Sequence, residues 1–359
     1  MSKLKKNKSN YRVVGLMSGT SLDGVDLACC EFSYDKPKWQ YKIVAAQSFP
    51  YVKNMLKDLK SSVTADATNL MHLDVALGWW YGQIVADFIE KHQLKPDFIA
   101  SHGHTVFHQP AQGLTTQIGN GWAIHQKTRL PVINDFRSKD VSLGGQGAPL
   151  VPIGDRLLFP EFDYCLNLGG IANISFEHQS RRVAYDIAPC NMVFNRLAQK
   201  LGFEYDENGQ SAAQGFLQKD LLELLNSWEY YRKDFPKSLG YEQVNNEVFP
   251  MIDSSQYPIE DVMASYASHL GKQIASAIQL KKARILVTGG GAYNRFLIQQ
   301  IEKNLPEDAR LILPDRQLID FKEALVFAFL GVLRWRGEVN CLSSVTGASE
   351  DNCGGVIYQ

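Results

Sequence analysis

Residues 11–32, YRVVGLMSGTSLDGVDLACCEF, carry an apolar run into a polar, glycine-bearing turn and out into a second apolar run, with a third at residues 42–49. Residues 164–176, YCLNLGGIANISF, repeat the device, and residues 183–186 supply a third run there too. Short apolar runs bounded by turn residues predict strands joined in hairpins. Gly19 and Gly169 stand 150 positions apart. The same strand–glycine turn–strand hairpin, met twice, predicts a duplicated α/β domain, with two unrelated hairpins as the alternative.

Helical spacing of apolar residues predicts helices over residues 69–92, 191–201, 260–280 and 322–335, with short strands at 98–101, 283–287 and 311–314. The stretch 102–121, dense in Gly, His and Gln, predicts loops at a site edge. The glycine segment 142–147, SLGGQG, predicts a hinge between domains. Residues 216–258 carry few signals beyond partial helicity.

The chain has 359 residues, 45% hydrophobic and 21% charged, with a net charge of -1. That length predicts two domains or one large α/β unit. The composition excludes a disordered chain or a rod. The charge gives no strong field for nucleic acid or a membrane surface. No apolar run is long enough to span a bilayer, and no apolar stretch follows the basic N-terminus as in a secretory signal. Six cysteines without a CxxC pair read as reduced thiols of a cytoplasmic protein.

Three glycine turns are candidate phosphate or nucleotide sites. In the first, Gly19-Thr20-Ser21-Leu22-Asp23-Gly24-Val25-Asp26, small residues let N–H groups and hydroxyls face an anion, and Asp23 or Asp26 is a candidate ligand for hydrated Mg²⁺. No lysine follows, so it is not a P-loop of the GxxxxGK[ST] type. The second, Gly169-Gly170, and the third, Gly289-Gly290-Gly291, each follow an apolar strand, and the third opens toward a helix start. Asp186 ends a predicted strand and is a candidate general base, with helix capping as its plainer role. His102 and His104 would share a strand face, which raises a metal site, or hydrogen bonds to a polar substrate. Arg137 suits a carboxylate or phosphate, with a structural salt bridge as the alternative. Glu323 opens a predicted helix, where the helix dipole or a sugar hydroxyl would hold it.

Taken together, GLMSGTSLDGVD at 15–26, SHGHTVFHQP at 101–110, QIGNGWAI at 117–124, NDFRSKDVSLGGQGAPLVP at 134–152, LNLGGIANIS at 166–175 and VTGGGAYN at 287–294 resemble the anhydro-N-acetylmuramic acid kinase family. The resemblance runs from about residue 12 to about residue 335. It implies a two-domain, actin-like ATPase (ribonuclease H-like) fold with nucleotide in the interdomain cleft, divided here as 1–134 with 340–359 and 135–339. It implies ATP and Mg²⁺ as partners, a homodimer, and a reaction that opens a 1,6-anhydro sugar with water while phosphorylating O6. By the same resemblance Asp186 is the catalytic base. Gly19, Thr20, Ser21, Leu22, Asp23, Gly24, Val25, Asp26, Gly169, Gly170, Gly289, Gly290 and Gly291 bind ATP, Asp23 meets the metal, and Thr105, Arg137 and Glu323 contact the sugar. The chain departs from the family's common pattern at Ile187–Asn191, which follow Asp186, and at Asn195 and Asn120, where aspartates are common. Three rival readings are a kinase of another anhydro sugar such as levoglucosan, a metal-dependent hydrolase built on the histidines, and a non-catalytic nucleotide binder.

Overall fold

The computed structural model describes residues 8–19, 22–35 and 38–359. The chain forms two compact units, residues 1–159 with 321–359 and residues 160–320.

In the first unit, β1 (Asn10–Ser18), β2 (Val25–Asp35) and β3 (Lys38–Phe49) make an antiparallel meander. Next come β4 (Phe98–Ser101), the hairpin β5 (His104–Gln109) and β6 (Leu114–Ile118), and β7 (Val132–Asn134). β4 lies parallel to β1, and β7 parallel to β4. In the second unit, β8 (Tyr164–Leu168), β9 (Ile171–His178) and β10 (Arg181–Pro189) repeat the meander. There β11 (Arg284–Thr288) runs parallel to β8, and β12 (Arg310–Ile312) parallel to β11. Each sheet thus reads third–second–first–fourth–fifth, with β13 (Val356–Tyr358) added antiparallel to β7 at the first sheet's edge. Parallel neighbours need a crossover, and helices supply it. One topology built twice is what the paired glycine hairpins predicted, and it is the ribonuclease H-like unit of the actin-like ATPase fold.

Local chemistry explains the main elements. β1 and β4 are central strands, covered on both faces, so their sequences are nearly continuously apolar. Helix Ala67–Lys91 starts at Asp66, whose carboxylate accepts from the Asn69 N–H at 2.8 Å. Its Leu73, Leu77, Tyr81, Val85 and Phe88 are buried at helical spacing. Helix Arg316–Arg336 carries a run that is apolar all round; Phe329 packs on Phe32 and Trp39, and Trp335 stacks on Phe98 at 4.9 Å.

Several expectations are corrected. The units divide at 159/160 and 320/321, not at 134/135 and 339/340. Residues 135–159 stay in the first unit because Asp140 is bonded to Thr346 and Asn352, and Asp155 to Lys322. Residues 142–147 are therefore no hinge between units; the Gly147 N–H donates to the Asp140 carboxylate at 2.8 Å. Within 102–121 the predicted loops contain the β5–β6 hairpin. The helix expected at 322 begins at Arg316, so Glu323 does not open it.

Candidate functional site

In the first unit, polar residues gather where β1 and β4 end. The buried His102 ring has Nδ1 3.1 Å from the Ser18 carbonyl and Nε2 2.8 Å from Arg137 Nη2. A carbonyl only accepts and a guanidinium only donates, so the ring is neutral with its proton on Nδ1. Burial, reinforced by the Arg137 charge, pushes His102 down to about 3. His104 is pushed down by burial to about 4, and its Nδ1 lies 3.2 Å from Ser18 Oγ. Ser18 Oγ in turn meets the Tyr51 hydroxyl at 2.5 Å. Both histidines are thus tied into the fold. Among the described residues no group of three or more His, Cys, Asp and Glu is placed to hold a metal ion. This corrects the histidine metal site.

Arg137 Nη1 donates to the Gly147 carbonyl at 2.6 Å. Burial pushes Arg137 down to about 10, with Glu323 pulling it back up, so it stays cationic at neutral pH. Glu323 is pushed up by burial; Lys322 and Arg137 oppose this, while Asp26 and Asp155 add to it. Arg137, Glu323 and Asp26 are thus electrostatic neighbours. Asp26 accepts from Ser48 Oγ at 2.5 Å. Thr105 lies on β5, its hydroxyl accepting from Gln117 Nε2 at 3.4 Å. Of the first glycine turn, Gly19, Leu22, Asp23 and Gly24 link β1 to β2, and Val25 and Asp26 open β2. Thr20 and Ser21 lie outside the described residues.

In the second unit, Asp186 lies within β10, which continues to Pro189 and shifts register between Asp186 and Ala188. It caps nothing: helix Asn191–Lys200 follows Cys190, without a side-chain cap. The Leu239 N–H donates to Asp186 Oδ2 at 2.9 Å, and the Tyr230 hydroxyl donates to the Asp186 carbonyl at 2.5 Å. The Asp186 N–H donates to the Lys237 carbonyl at 3.2 Å. Burial pushes the Asp186 carboxyl up, against the Leu239 N–H. Sequence reasoning missed Tyr230, Lys237 and Leu239. The aromatic run Trp228, Tyr230, Tyr231 was the available signal.

The second and third glycine turns do come together, because β8 and β11 are parallel neighbours. Gly289 has φ +83°, and a Cβ there would stand 2.5 Å from Asn167 Oδ1 and 2.8 Å from the Leu168 carbonyl carbon. Only glycine fits. Gly169 and Gly170 accept, through their carbonyls, from the first N–H groups around helix Asn191–Lys200. Beside this edge lies a pocket of about 560 Å³, lined among others by Asn191, Asn195, Tyr205, Gly290, Tyr293 and Arg316. Arg316 sits 5.7 Å over the Tyr293 ring, whose hydroxyl donates to Asp320 at 2.8 Å. An aromatic, cationic, glycine-edged pocket suits a planar base carrying phosphates. Gly289→Ala should cost about 1–3 kcal/mol of stability. A calorimetric scan matching that of the unmodified protein would refute this.

The six cysteines are free, and among the described residues no helix is long and apolar enough to cross a membrane. The profile of the anhydro-N-acetylmuramic acid kinase family matches residues 11–359. The anhydro-N-acetylmuramic acid kinase of Vibrio vulnificus is 34% identical over 365 residues, 96% of this chain and 97% of that protein. That of Francisella tularensis subsp. novicida is 34% identical over 368 residues, 95% and 97% of the two chains. A ROK family glucokinase from Streptomyces griseus, solved with glucose and AMPPNP, is a looser likeness at 14% identity and TM-score 0.38, covering 89% of this chain and 98% of that one. With the family profile matched almost end to end, and relatives of that name at over 30% identity across nearly the full length, the chain belongs to the anhydro-N-acetylmuramic acid kinase family.

Proposed function

We propose that this chain is an ATP-dependent kinase that opens the ring of 1,6-anhydro-N-acetylmuramic acid and phosphorylates O6, giving N-acetylmuramic acid 6-phosphate for cell-wall recycling. The observation that carries the reading is Asp186, a half-buried carboxylate whose pKa desolvation pushes up and of which one oxygen is held by a backbone N–H, in a chain matching the family from residue 11 to residue 359. A carboxylate so perturbed is the form a general base takes.

In this reading Asp186 takes a proton from water as the water oxygen bonds to the anomeric carbon. The bond from that carbon to O6 breaks. O6 then attacks the γ-phosphoryl group, and the bond to the β-phosphate oxygen breaks to release ADP. Positioning and charge neutralisation supply most of the acceleration. Arg137 and Glu323 bind the sugar's polar groups, and Thr105 adds a hydroxyl contact. Gly19–Asp26 cradle phosphates, and Gly169, Gly170 and Gly289–Gly291 with the neighbouring pocket take the nucleotide.

Asp23 and Asp26 are hard oxygen donors suited to a hydrated magnesium ion, and the upward push of Asp26 on Glu323 supports a locally acidic site. Bound there, magnesium neutralises phosphate charge. We also take the enzyme as a cytoplasmic homodimer; its free thiols agree with the compartment, and the half-exposed Trp79 and Trp122 of the first unit agree with self-association.

The test is ADP release with Mg-ATP and 1,6-anhydro-N-acetylmuramic acid, beside levoglucosan and a no-sugar control. ADP formed only with the muramic sugar, together with a 6-phosphate product, is the expected outcome. Release mainly with levoglucosan would move the substrate, and no sugar-dependent release would sink the kinase reading.

A further inference from the structure

We propose that Tyr230 is a positioning residue for Asp186, its hydroxyl locking the strand edge so that the carboxylate presents Oδ1 to the attacking water. The inference rests on the reading of Asp186 as the base.

β10 is the edge strand of its sheet, and its register with β9 slips directly after Asp186. An edge strand at a bulge leaves backbone groups without ladder partners and free to rotate the side chain they carry. Here a single segment, residues 230–239, meets every polar part of Asp186 except one oxygen. The Lys237 carbonyl accepts from its N–H, the Tyr230 hydroxyl donates to its carbonyl, and the Leu239 N–H donates to Oδ2. Among the described residues Oδ1 has no hydrogen-bond partner, so it is the oxygen left to receive a proton. The segment falls in the stretch 216–258 to which the sequence assigned no role.

Tyr230 is itself held. Its ring is 1% exposed, stacks on Trp228 at 5.0 Å, and carries the Lys237 ammonium 4.8 Å from its centre. Trp228 Nε1 is anchored on Glu247 at 2.6 Å, and Lys237 Nζ donates to the Tyr230 carbonyl at 3.3 Å. Burial first, then the Asp186 charge, push Tyr230 upward, so its hydroxyl remains a donor. Besides Tyr230, the titratable groups of this segment and of β10 that face it and Asp186 are Lys237 and Lys233, whose ammonium groups lie 4.8 Å and 5.8 Å from the Tyr230 ring centre, and Tyr185, over which Lys237 also sits. From β9 the facing residue is the uncharged Asn173. Tyr231, next in sequence, points elsewhere: its hydroxyl meets His269 Nε2 at 2.9 Å. It is a built-in control.

The experiment compares Tyr230→Phe, Lys237→Met and Tyr231→Phe in the full chain. It records kcat, KM for both substrates, the pH profile of kcat/KM and thermal stability. Tyr230→Phe should lower kcat about tenfold with KM for ATP unchanged, because misplacement of a base costs the chemical step. Its acid limb should move to higher pH, because a loosened Leu239 N–H stabilises the carboxylate less. Lys237→Met should move both readouts the same way by less. Tyr231→Phe should lose stability yet leave kcat and the acid limb in place. An unchanged kcat and profile in Tyr230→Phe, or an equal shift in Tyr231→Phe, would overturn the proposal. Full turnover by Asp186→Asn would instead overturn the reading of Asp186 as the base, so the two failures are distinguishable.

Discussion

Asp186→Asn is expected to lose turnover by about 10²–10⁴-fold while binding ATP as before and melting no lower than the unmodified protein at neutral pH. The loss follows from the proton. An amide cannot accept one, yet it can still accept the Leu239 hydrogen bond through its oxygen, so the geometry survives. The stability sign follows from burial. Burial holds the folded-state pKa of Asp186 above its unfolded value, so the folded chain binds that proton more tightly. The stabilisation from this group is complete below the unfolded pKa and is lost as pH rises through the folded one. At neutral pH the ionised carboxylate is therefore a net cost to the fold, which the neutral amide removes. The same shift places the acid limb of kcat/KM above the ordinary aspartate range. Retention of a tenth of the activity, or a marked fall in Tm, would contradict the argument.

Much of this arrangement was legible because it is local. The first two strands of each meander are apolar runs joined by a glycine-bearing turn, Gly169-Gly170 and Gly289–Gly291 directly follow strands, and Asp186 lies within one, in one repeated topology. What stayed illegible depends on distant partners. Asp140 reads as an ordinary polar residue, and nothing nearby announces Cys341, Thr346 and Asn352 as its neighbours. By local signals alone, therefore, residues 135–159 read as part of the other unit. Tyr230 and Leu239 lie 44 and 53 positions from Asp186, in a stretch of short helices without a steady apolar period. The start of helix Arg316–Arg336 does carry a local signal in Asp315, whose carboxylate accepts from the Leu318 N–H at 2.8 Å, with Pro314 before it.

Asp140→Ala should destabilise the first unit by about 3–5 kcal/mol and raise KM for the sugar far more than KM for ATP. Asp140 is fully buried. Its Oδ1 accepts from Asn352 Nδ2 at 2.8 Å, Thr346 Oγ1 at 2.9 Å and Cys341 Sγ at 3.0 Å, and Oδ2 accepts from the Gly147 N–H at 2.8 Å. Removing the carboxylate strands buried donors, each costing about 1–3 kcal/mol, with partial relaxation trimming the sum. Asp140→Asn keeps the shape and one acceptor oxygen, so it should cost less. The link to the sugar runs through Gly147. Its N–H is held by Asp140 and its carbonyl accepts from Arg137 Nη1, while Arg137 Nη2 reaches His102. Freeing residues 142–147 therefore releases the guanidinium proposed to bind the sugar, whereas the glycine edge of the second unit keeps its own hydrogen bonds. Limited proteolysis should cut within 142–147 in Asp140→Ala and spare that stretch in the unmodified protein. A Tm within a degree or so of the unmodified protein, or equal rises in both KM values, would show that Asp140 does not organise this part of the site.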